Sequence, residues 1–325
     1  MRILVTGGAG FIGSHYVRAL LSRTYEPGAA HTVTVLDKLT YAGDRDNLPA
    51  AHDSLTFVPG DICDARLLAE LMPGHDAVVH FAAESHVDRS IDGGADFTRT
   101  NVLGTQILCD AAVAARVERF VHVSTDEVYG SIDRGAWTEE SPLLPNSPYA
   151  ASKAGSDLVA RAHWRTHGLN VSVTRCSNNY GPRQHPEKLI PRFVTRLLEG
   201  EPVPVYGDGR NRREWLHVDD HCRAVHLVLT RGRAGEIYHV GGGEELTNLE
   251  LTGRLLGLCG ADASMIRHVP DRKGHDLRYS INDRKIRDEL GYAPRHSFDD
   301  GLAATVDWYR ANSAWWKAVR APLPT

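Results

Sequence analysis

The feature that most constrains the fold is a run of glycines after the first apolar segment. Residues 2–6 indicate a short buried strand, and Gly7, Gly10 and Gly13 follow it before a helix that we expect to end near residue 23. Glycines at this spacing allow a tight turn and let the backbone approach a phosphate held by the helix N-terminus. A second apolar run over residues 32–36 completes a strand–helix–strand unit, which is typical of a parallel sheet.

The second strand ends in an acidic residue, Asp37. A carboxylate about 20 residues past such glycines hydrogen-bonds the adenosine ribose hydroxyls of a dinucleotide, and it repels a 2′-phosphate. We therefore predict NAD rather than NADP as the cofactor, although Lys38 is close enough in sequence to offset that charge. Asp61 follows the next strand and is expected to meet the adenine amino group.

Further apolar runs over residues 55–58, 77–81, 120–123 and 169–174 continue the pattern, and small or polar residues follow several of them. Parallel strands bring their carboxyl ends to one edge of the sheet, where such sheets bind ligands. The predicted fold class is therefore α/β, with a Rossmann-type doubly wound parallel sheet and a smaller, mixed α/β C-terminal substrate domain.

The character of the chain changes near residue 180, where short elements begin to alternate with loops rich in Arg, Gly and Pro. We predict a dinucleotide-binding domain over residues 1–180, to which the chain returns near residues 215–230, and a substrate domain over residues 181–325. Because no flexible linker separates the two, we expect the substrate cleft to lie between them.

A tyrosine and a lysine four residues apart, Tyr149 and Lys153, form the first candidate catalytic pair. On a helix, positions i and i+4 share one face, so the phenol and the ammonium are expected to point into one site. A nearby cation favours the phenolate. The spacing therefore predicts that Tyr149 acts as a general base near neutral pH.

Two adjacent carboxyl groups, Asp126 and Glu127, follow the strand that ends near Ser124 and Thr125. Like charges in a shielded site raise one pKa, so such a pair is able to hold a proton between its members. An oxidation followed by elimination of water needs both a base for a hydroxyl and a separate carboxyl acid and base. These residue types in this order therefore favour that reaction.

Five segments together resemble a known family. They are TGGAGFIG (6–13), FAAESHVD (81–88), STDEVYG (124–130), YAASK (149–153) and RCSNNYGP (175–182). They are similar to segments of the extended short-chain dehydrogenases/reductases and, more narrowly, of the dTDP-glucose 4,6-dehydratases. The resemblance extends from residue 1 to about residue 309, and Thr125-Asp126-Glu127 is its most specific element. The family usually has Pro where this chain has Lys273.

The resemblance implies an NAD-dependent hydro-lyase that converts dTDP-glucose to dTDP-4-keto-6-deoxyglucose and water. Tyr149, assisted by Thr125, would deprotonate the C4 hydroxyl while a hydride passes to bound NAD+, with Lys153 holding the ribose. Glu127 would then take the C5 proton, Asp126 would protonate the departing C6 hydroxyl, and the hydride would return to C6. Two alternatives stay open, a sugar-nucleotide 4-epimerase and a non-catalytic dinucleotide-sensing protein.

The resemblance also implies the residues of both binding sites. The expected cofactor residues are Gly7, Gly10, Phe11, Ile12, Gly13, Asp37, Lys38, Leu39, Thr40, Asp61, Ile62, Phe81, Ala82, Ala83, Ser85, Thr100, Tyr149, Lys153 and Asn179. The expected substrate residues are Ser85, His86, Thr125, Asn178, Lys188, Leu189, Pro204, Val205, Tyr206, Arg213, Asn248, Arg272 and His275.

Composition narrows the partners and the compartment. A formal net charge of −4 offers no attraction to nucleic acid or to an anionic membrane, and no apolar run approaches the length of a membrane span. The five cysteines are widely spaced without a C-x-x-C pair, which favours reduced thiols in a cytoplasmic protein and no metal site. By resemblance we expect a homodimer paired through helices over residues 101–115 and 152–167. The downstream pathway, cell-surface deoxysugars or antibiotic sugars, stays open.

Overall fold

The computed structural model describes residues 1–320, so residues 321–325 of the predicted substrate domain lie outside the described residues. The strands are β1 (Arg2–Thr6), β2 (Thr32–Asp37), β3 (Leu55–Pro59), β4 (Ala77–His80), β5 (Arg119–Thr125), β6 (Val171–Cys176), β7 (Asn178–Tyr180), β8 (Val203–Tyr206), β9 (Arg212–His217), β10 (Ile237–Val240), β11 (Glu244–Thr247) and β12 (Ile266–Val269). The α-helices are α1 (Phe11–Leu21), α2 (Ala65–Leu71), α3 (Val87–Asp92), α4 (Gly94–Phe97), α5 (Gly104–Ala114), α6 (Pro148–His167), α7 (Leu189–Leu198), α8 (Val218–Arg231), α9 (Asn248–Cys259), α10 (Arg284–Leu290), α11 (Phe298–Ala311) and α12 (Ser313–Val319).

A parallel sheet in the order β10-β6-β5-β4-β1-β2-β3 organises the molecule. Alternate side chains of β1 enter different cores: Ile3 and Val5 pack on the face covered by α1 and α8, whereas Leu4 packs on the face covered by α2 and α5. Both faces of the sheet are therefore buried, as its continuous apolar runs predict. The doubly wound α/β fold class is confirmed.

The second half of the chain builds a separate apolar core with mixed secondary structure. A three-stranded sheet, β11-β9-β7, combines one antiparallel and one parallel pair, and β12 pairs with β8. Side chains of α7, α9 and α11, among them Ile190, Leu251 and Leu302, meet in this core. The smaller mixed α/β region of the predicted fold class is thereby confirmed.

The chain returns to the large sheet twice after residue 181. Helix α8 packs on α1 and on β5 and β6, and β10 then adds a seventh strand beside β6. Sequence patterning missed β10 because its four residues, 237–240, are too few to show a period. The predicted domain boundaries stay a prediction, which the two separate apolar cores and the position of α8 support.

Two helix ends explain the differences between predicted and observed bounds. Helix α1 ends at Leu21 rather than near residue 23, and Ser22 bonds back to Arg18 as its C-cap. Helix α6 ends at His167, and the φ of 69° at its C-cap Gly168 lies in the left-handed region, so the following strand begins at Val171 rather than at residue 169. No helix within residues 1–320 is long and apolar enough to cross a membrane.

Candidate active site

A cavity of about 320 Å³ opens at the carboxyl ends of β1, β2, β4 and β5. Two glycines make its floor possible. A Cβ on Gly7, whose φ is 68°, would lie 2.5 Å from the Ala82 backbone nitrogen, and one on Gly13 would lie 2.2 Å from the Gly7 carbonyl oxygen. Gly10 caps α1 without a side chain, so the first amides of the helix stay available to a phosphate. The floor therefore fits a dinucleotide pyrophosphate.

Asp37 is fixed at the adenosine end of this cavity. Its Oδ2 accepts a hydrogen bond of 2.9 Å from the Ala9 amide, and its Oδ1 accepts one of 2.8 Å from the Leu39 amide. Lys38 pairs instead with Asp61, at 2.8 Å between Nζ and Oδ2. Because Lys38 is engaged elsewhere, the Asp37 carboxylate keeps the charge that excludes a 2′-phosphate, and this end of the cavity fits NAD.

The predicted cofactor residues line this cavity with the exception of Leu39. Its backbone is in the left-handed region, with φ at 53°, and its side chain is exposed. Leu39 therefore contributes the backbone amide that holds Asp37 rather than a side-chain contact.

The carboxyl pair lies in a single turn of 3₁₀ helix, Asp126–Tyr129, directly after β5. Thr125 Oγ1 donates to Asp126 Oδ1 at 3.2 Å and accepts the Glu127 amide at 3.3 Å. Burial raises the pKa of Asp126 well above its usual range, and the charges of Glu127 and Glu214 raise it further. Asp126 Oδ2 is buried without a hydrogen-bond partner among residues 1–320. A proton on Asp126 is the arrangement this environment favours.

Glu127 lies where the region built on the seven-stranded sheet meets the smaller mixed α/β region, which we call the smaller lobe. Burial raises its pKa, whereas the charges of Arg213, Lys188 and Arg272 oppose that rise. The Tyr279 hydroxyl lies 3.5 Å from Glu127 Oε2 and donates a bond of 2.6 Å to Asp276. Three cations act on Glu127, whereas two carboxylates and a single cation, Arg213, act on Asp126, so the two neighbours differ in proton affinity, which is what a separate base and acid require.

Tyr149 enters the same cavity from the first turn of α6. Ser147 caps that helix by accepting the Ala150 amide at 3.1 Å, and Pro148 occupies its first position. Tyr149, Thr125, Asp126, Glu127 and Lys153, the five predicted catalytic residues, all line the cavity. The structure thus brings the predicted catalytic group together.

The expected effect of Lys153 on the pKa of Tyr149 stays a prediction. Burial raises the pKa of Tyr149 well above its usual range, and the Glu127 charge adds to that rise. Lys153 Nζ donates a hydrogen bond of 2.8 Å to the Val123 carbonyl oxygen. Tyr149 and Lys153 both line the cavity, as the helix spacing predicts, and the ammonium is bound to the backbone of β5.

A second cavity of about 170 Å³ continues from the first into the smaller lobe. The predicted substrate residues line it except for Thr125, which faces only the first cavity. Its walls are basic: Lys188 Nζ donates to the Ser85 carbonyl oxygen at 2.6 Å, and the Arg213 guanidinium lies 4.3 Å above the Tyr279 ring. Buried cations beside aromatic rings suit a nucleoside diphosphate.

The loop with the unusual Lys273 still delivers its neighbours to this cavity. Arg272 Nε lies 2.5 Å from Asp88 Oδ1, and the guanidinium is 5.3 Å from the Tyr206 ring centre. The His275 ring contacts Tyr206 edge-on, with ring centres 6.1 Å apart. Lys273 itself is exposed and lines neither cavity.

Sequence reasoning missed several residues that the fold brings to the two cavities. Ser124 and Ser177 line the first cavity with hydroxyls that lack partners among the described residues. Glu187 and Gln184 line both cavities, and Tyr279 lines the second. Ser124 lies inside the STDEVYG motif and could have been predicted from it. Nothing in the sequence around Tyr279 indicates that it lies near Glu127.

Comparison with known proteins places these cavities in context. A family model described as GDP-mannose 4,6 dehydratase matches residues 4–305. The dTDP-glucose 4,6-dehydratase of Streptomyces niveus is 62% identical over 324 residues, 99% of this chain and 96% of that protein. The crystal structure of DesIV, a dTDP-glucose 4,6-dehydratase from Streptomyces venezuelae with NAD bound, gives a TM-score of 0.97 at 67% identity, covering 98% of this chain and 100% of that one. A UDP-glucose 4-epimerase from Thermotoga maritima gives 0.89 at 32% identity, covering 96% and 100%.

Proposed function

Since the chain belongs to the dTDP-glucose 4,6-dehydratase family, we propose that it converts dTDP-glucose to dTDP-4-keto-6-deoxyglucose and water as an NAD-dependent hydro-lyase. One observation carries this proposal beyond family membership. The cavity that fits NAD contains the buried Asp126 and the partly buried Glu127 side by side, together with Tyr149. An epimerase transfers a hydride without losing water, so it has no use for this second acid and base.

NAD bound in the first cavity accepts a hydride from C4 of the sugar and later returns it to C6. Gly7, Gly10 and Gly13 would hold its pyrophosphate, and Asp37 its adenosine ribose.

Tyr149 takes the proton of the C4 hydroxyl, with the Thr125 hydroxyl beside it. The charges of Glu127 and Asp126 raise the pKa of Tyr149, whereas Thr125 lowers it. A proton held on Asp126 removes one of the opposing charges and so favours the phenolate. The acid of the elimination step thereby assists the base of the oxidation step.

Glu127 removes the C5 proton, which the neighbouring ketone acidifies, and Asp126 protonates the departing C6 hydroxyl, which leaves as water. When the hydride returns to C6, the proton held on Glu127 returns to C5. The charges of Arg213, Lys188 and Arg272 keep Glu127 the more readily ionised of the two, and the acidic neighbours of Asp126 keep it protonated. General acid and base groups of this kind each contribute roughly 10²–10⁴-fold to a rate.

The second cavity binds the nucleoside diphosphate of the substrate. Lys188, Arg213 and Arg272 neutralise the diphosphate, and Asn248, Tyr206 and its neighbours Pro204 and Val205 surround the nucleoside. Glu127 and Ser85 line both cavities, so the sugar lies between the diphosphate and the nicotinamide.

We further propose that the enzyme acts in the cytoplasm as a homodimer, without a nucleic-acid or membrane partner. Leu103, just before α5, and Leu158, on α6, are 47% and 57% exposed. Exposed leucines on adjacent helices favour an interface between copies of the chain.

The deciding experiment incubates the purified holoenzyme with dTDP-glucose that carries deuterium at C4, without added cofactor. We expect the product to lose one water and to carry the deuterium at C6, because the hydride is stored and returned within one active site. A product of unchanged mass with inverted C4 would establish an epimerase. Unchanged substrate, also after addition of NAD+, would overturn the proposed activity.

A further inference from the structure

A second group of ionisable side chains lies apart from both cavities. Glu26 and His31 belong to the loop between α1 and β2, and His226 lies on α8. One ligand atom from each, two imidazole nitrogens and a carboxylate oxygen, lie within 4.8 Å of one another. His31 precedes β2 and so lies at the amino edge of the sheet. The six residues of β2 place this group roughly 20 Å from the carboxyl edge that binds the cofactor.

The two histidines lack the partners that buried imidazoles normally have. The side chains of His31 and His226 are 3% and 6% exposed. Neither nitrogen of His31, nor Nε2 of His226, has a hydrogen-bond partner among residues 1–320. Glu26 Oε2 lies 3.6 Å from Nε2 of each, too far for a hydrogen bond. Buried polar groups left in this way are rare and require an explanation.

The two distances of 3.6 Å between Glu26 and the histidine nitrogens are close to the edges of a metal coordination sphere. Zinc binds imidazole nitrogen at about 2.0–2.1 Å and carboxylate oxygen at about 2.0–2.2 Å in tetrahedral sites, so neighbouring ligand atoms are about 3.4 Å apart. The other nitrogen of His226, Nδ1, lies 3.2 Å from the buried Tyr16 hydroxyl. A proton on Nδ1 donated to that oxygen leaves the Nε2 lone pair free, the arrangement usual for a metal-bound histidine.

We infer that Glu26, His31 and His226 form a zinc site, with Tyr16 orienting His226 and a fourth position open to water beside the half-exposed Glu26. The ion cross-links the α1–β2 loop to α8. Because that loop otherwise rests on few side-chain bonds, such as the one of 3.1 Å between the Tyr25 hydroxyl and Asp219, zinc is expected to stabilise the fold rather than to take part in the reaction.

A neighbouring group of similar composition, Asp219, Asp220 and His296, offers a matched contrast within the described chain. Its polar atoms already have partners: Asp219 accepts from His15 at 3.0 Å, and Asp220 accepts the Arg223 guanidinium at 2.8 Å and the His296 amide at 3.0 Å. Because these carboxylates already accept hydrogen bonds from protein groups, we expect them not to bind zinc.

The test uses the holoenzyme without a histidine tag, treated with a chelator and then titrated with Zn²⁺ against a chromophoric competitor. We expect one Zn²⁺ per chain with a submicromolar Kd and a rise in Tm on zinc addition. Co²⁺ in place of Zn²⁺ should give the visible absorption of a tetrahedral site. Neither measurement depends on dehydratase activity.

Variants then locate the ion. His31→Gln and His226→Gln should weaken binding by more than about 100-fold, and Tyr16→Phe by about 10–100-fold, the usual loss for a residue that orients a ligand. Glu26→Gln tests the site even if the histidine variants do not fold, because the Glu26 side chain is half exposed and its replacement should leave the fold intact. His296→Gln, the matched control, should bind as the parent chain does. Absence of submicromolar binding by the parent chain, or equal binding by Glu26→Gln and the parent chain, would overturn the inference.

Discussion

Two aspartates lie fully inside this molecule, yet their surroundings give them opposite properties. Burial raises the pKa of Asp126, and the charges of Glu127 and Glu214 raise it further and outweigh the opposing charge of Arg213. Burial also acts on Asp157, but Arg175 and His122 outweigh it and hold the pKa of that carboxyl below its usual range. Burial costs both groups solvation, so the partner decides the protonation state.

The different surroundings suit Asp126 to proton transfer and Asp157 to stabilising the fold. Asp157 binds Arg175 Nε at 2.8 Å and lies 3.2 Å from His122 Nε2. Arg175 in turn donates to the Tyr129 hydroxyl, which lies 2.7 Å from His239 Nε2 on β10. This chain of contacts ties the catalytic helix α6 to the sheet. One oxygen of each aspartate lacks a hydrogen-bond partner among residues 1–320, but the other oxygen of Asp157 binds the Arg175 guanidinium, whereas that of Asp126 accepts only the Thr125 hydroxyl.

The largest expected effect follows from removing the base beside Asp126. Glu127→Gln should lower kcat by about 10²–10⁴-fold, because an amide cannot take the C5 proton as the carboxylate does. Oxidation by Tyr149 precedes that step, so the variant should accumulate reduced nicotinamide, visible by stopped-flow absorbance. Tyr149→Phe serves as the comparison and should form none. Normal turnover by Glu127→Gln without a reduced-cofactor signal would show that the base lies elsewhere.

The next effect concerns the supporting aspartate. Asp157→Asn leaves Arg175 buried without its counter-ion, which costs about 3–5 kcal/mol of unfolding free energy. Because the folded pKa of Asp157 is lowered, its contribution is present above the unfolded pKa of ~3.9 and is lost as pH falls through the folded value. Urea unfolding should therefore show a deficit that is large at neutral pH and shrinks in acid.

A double variant sharpens this prediction. Adding Arg175→Met to Asp157→Asn removes the stranded charge, so part of the lost stability should return. Additive losses in the two single variants and the double variant would show that the pair contributes nothing as a pair, and that Asp126 and Asp157 differ only in location.

Most of the fold and of the catalytic group followed from the sequence, because each depends on local pattern. Short stretches of sequence were enough to predict the glycine turn after β1 and the strands up to β6. They were also enough to predict that Tyr149 and Lys153, at positions i and i+4, share one helix face. The contacts that set the protonation states of the catalytic residues could not be predicted from the sequence. Lys153 binds the Val123 carbonyl, and Tyr279 arrives near Glu127 from 152 residues away. Such contacts form only when the strands pair, and so does the meeting of His31 with His226.

The smallest expected effect has the opposite sign and completes the comparison. Folding raises the pKa of Asp126, so its charged form is disfavoured in the native state: the cost is absent below the unfolded pKa of ~3.9 and grows as pH rises toward the folded value. Asp126→Asn removes that cost and should stabilise the fold by about 0.5–2 kcal/mol near neutral pH while dehydration is lost. Thermal melts across the pH range should show the gain fading in acid, where Asp157→Asn also loses its penalty. If Asp126→Asn instead destabilised the protein at neutral pH, the ionised Asp126 would be stabilised by a cation, as Asp157 is by Arg175, and the two aspartates would not differ in this respect.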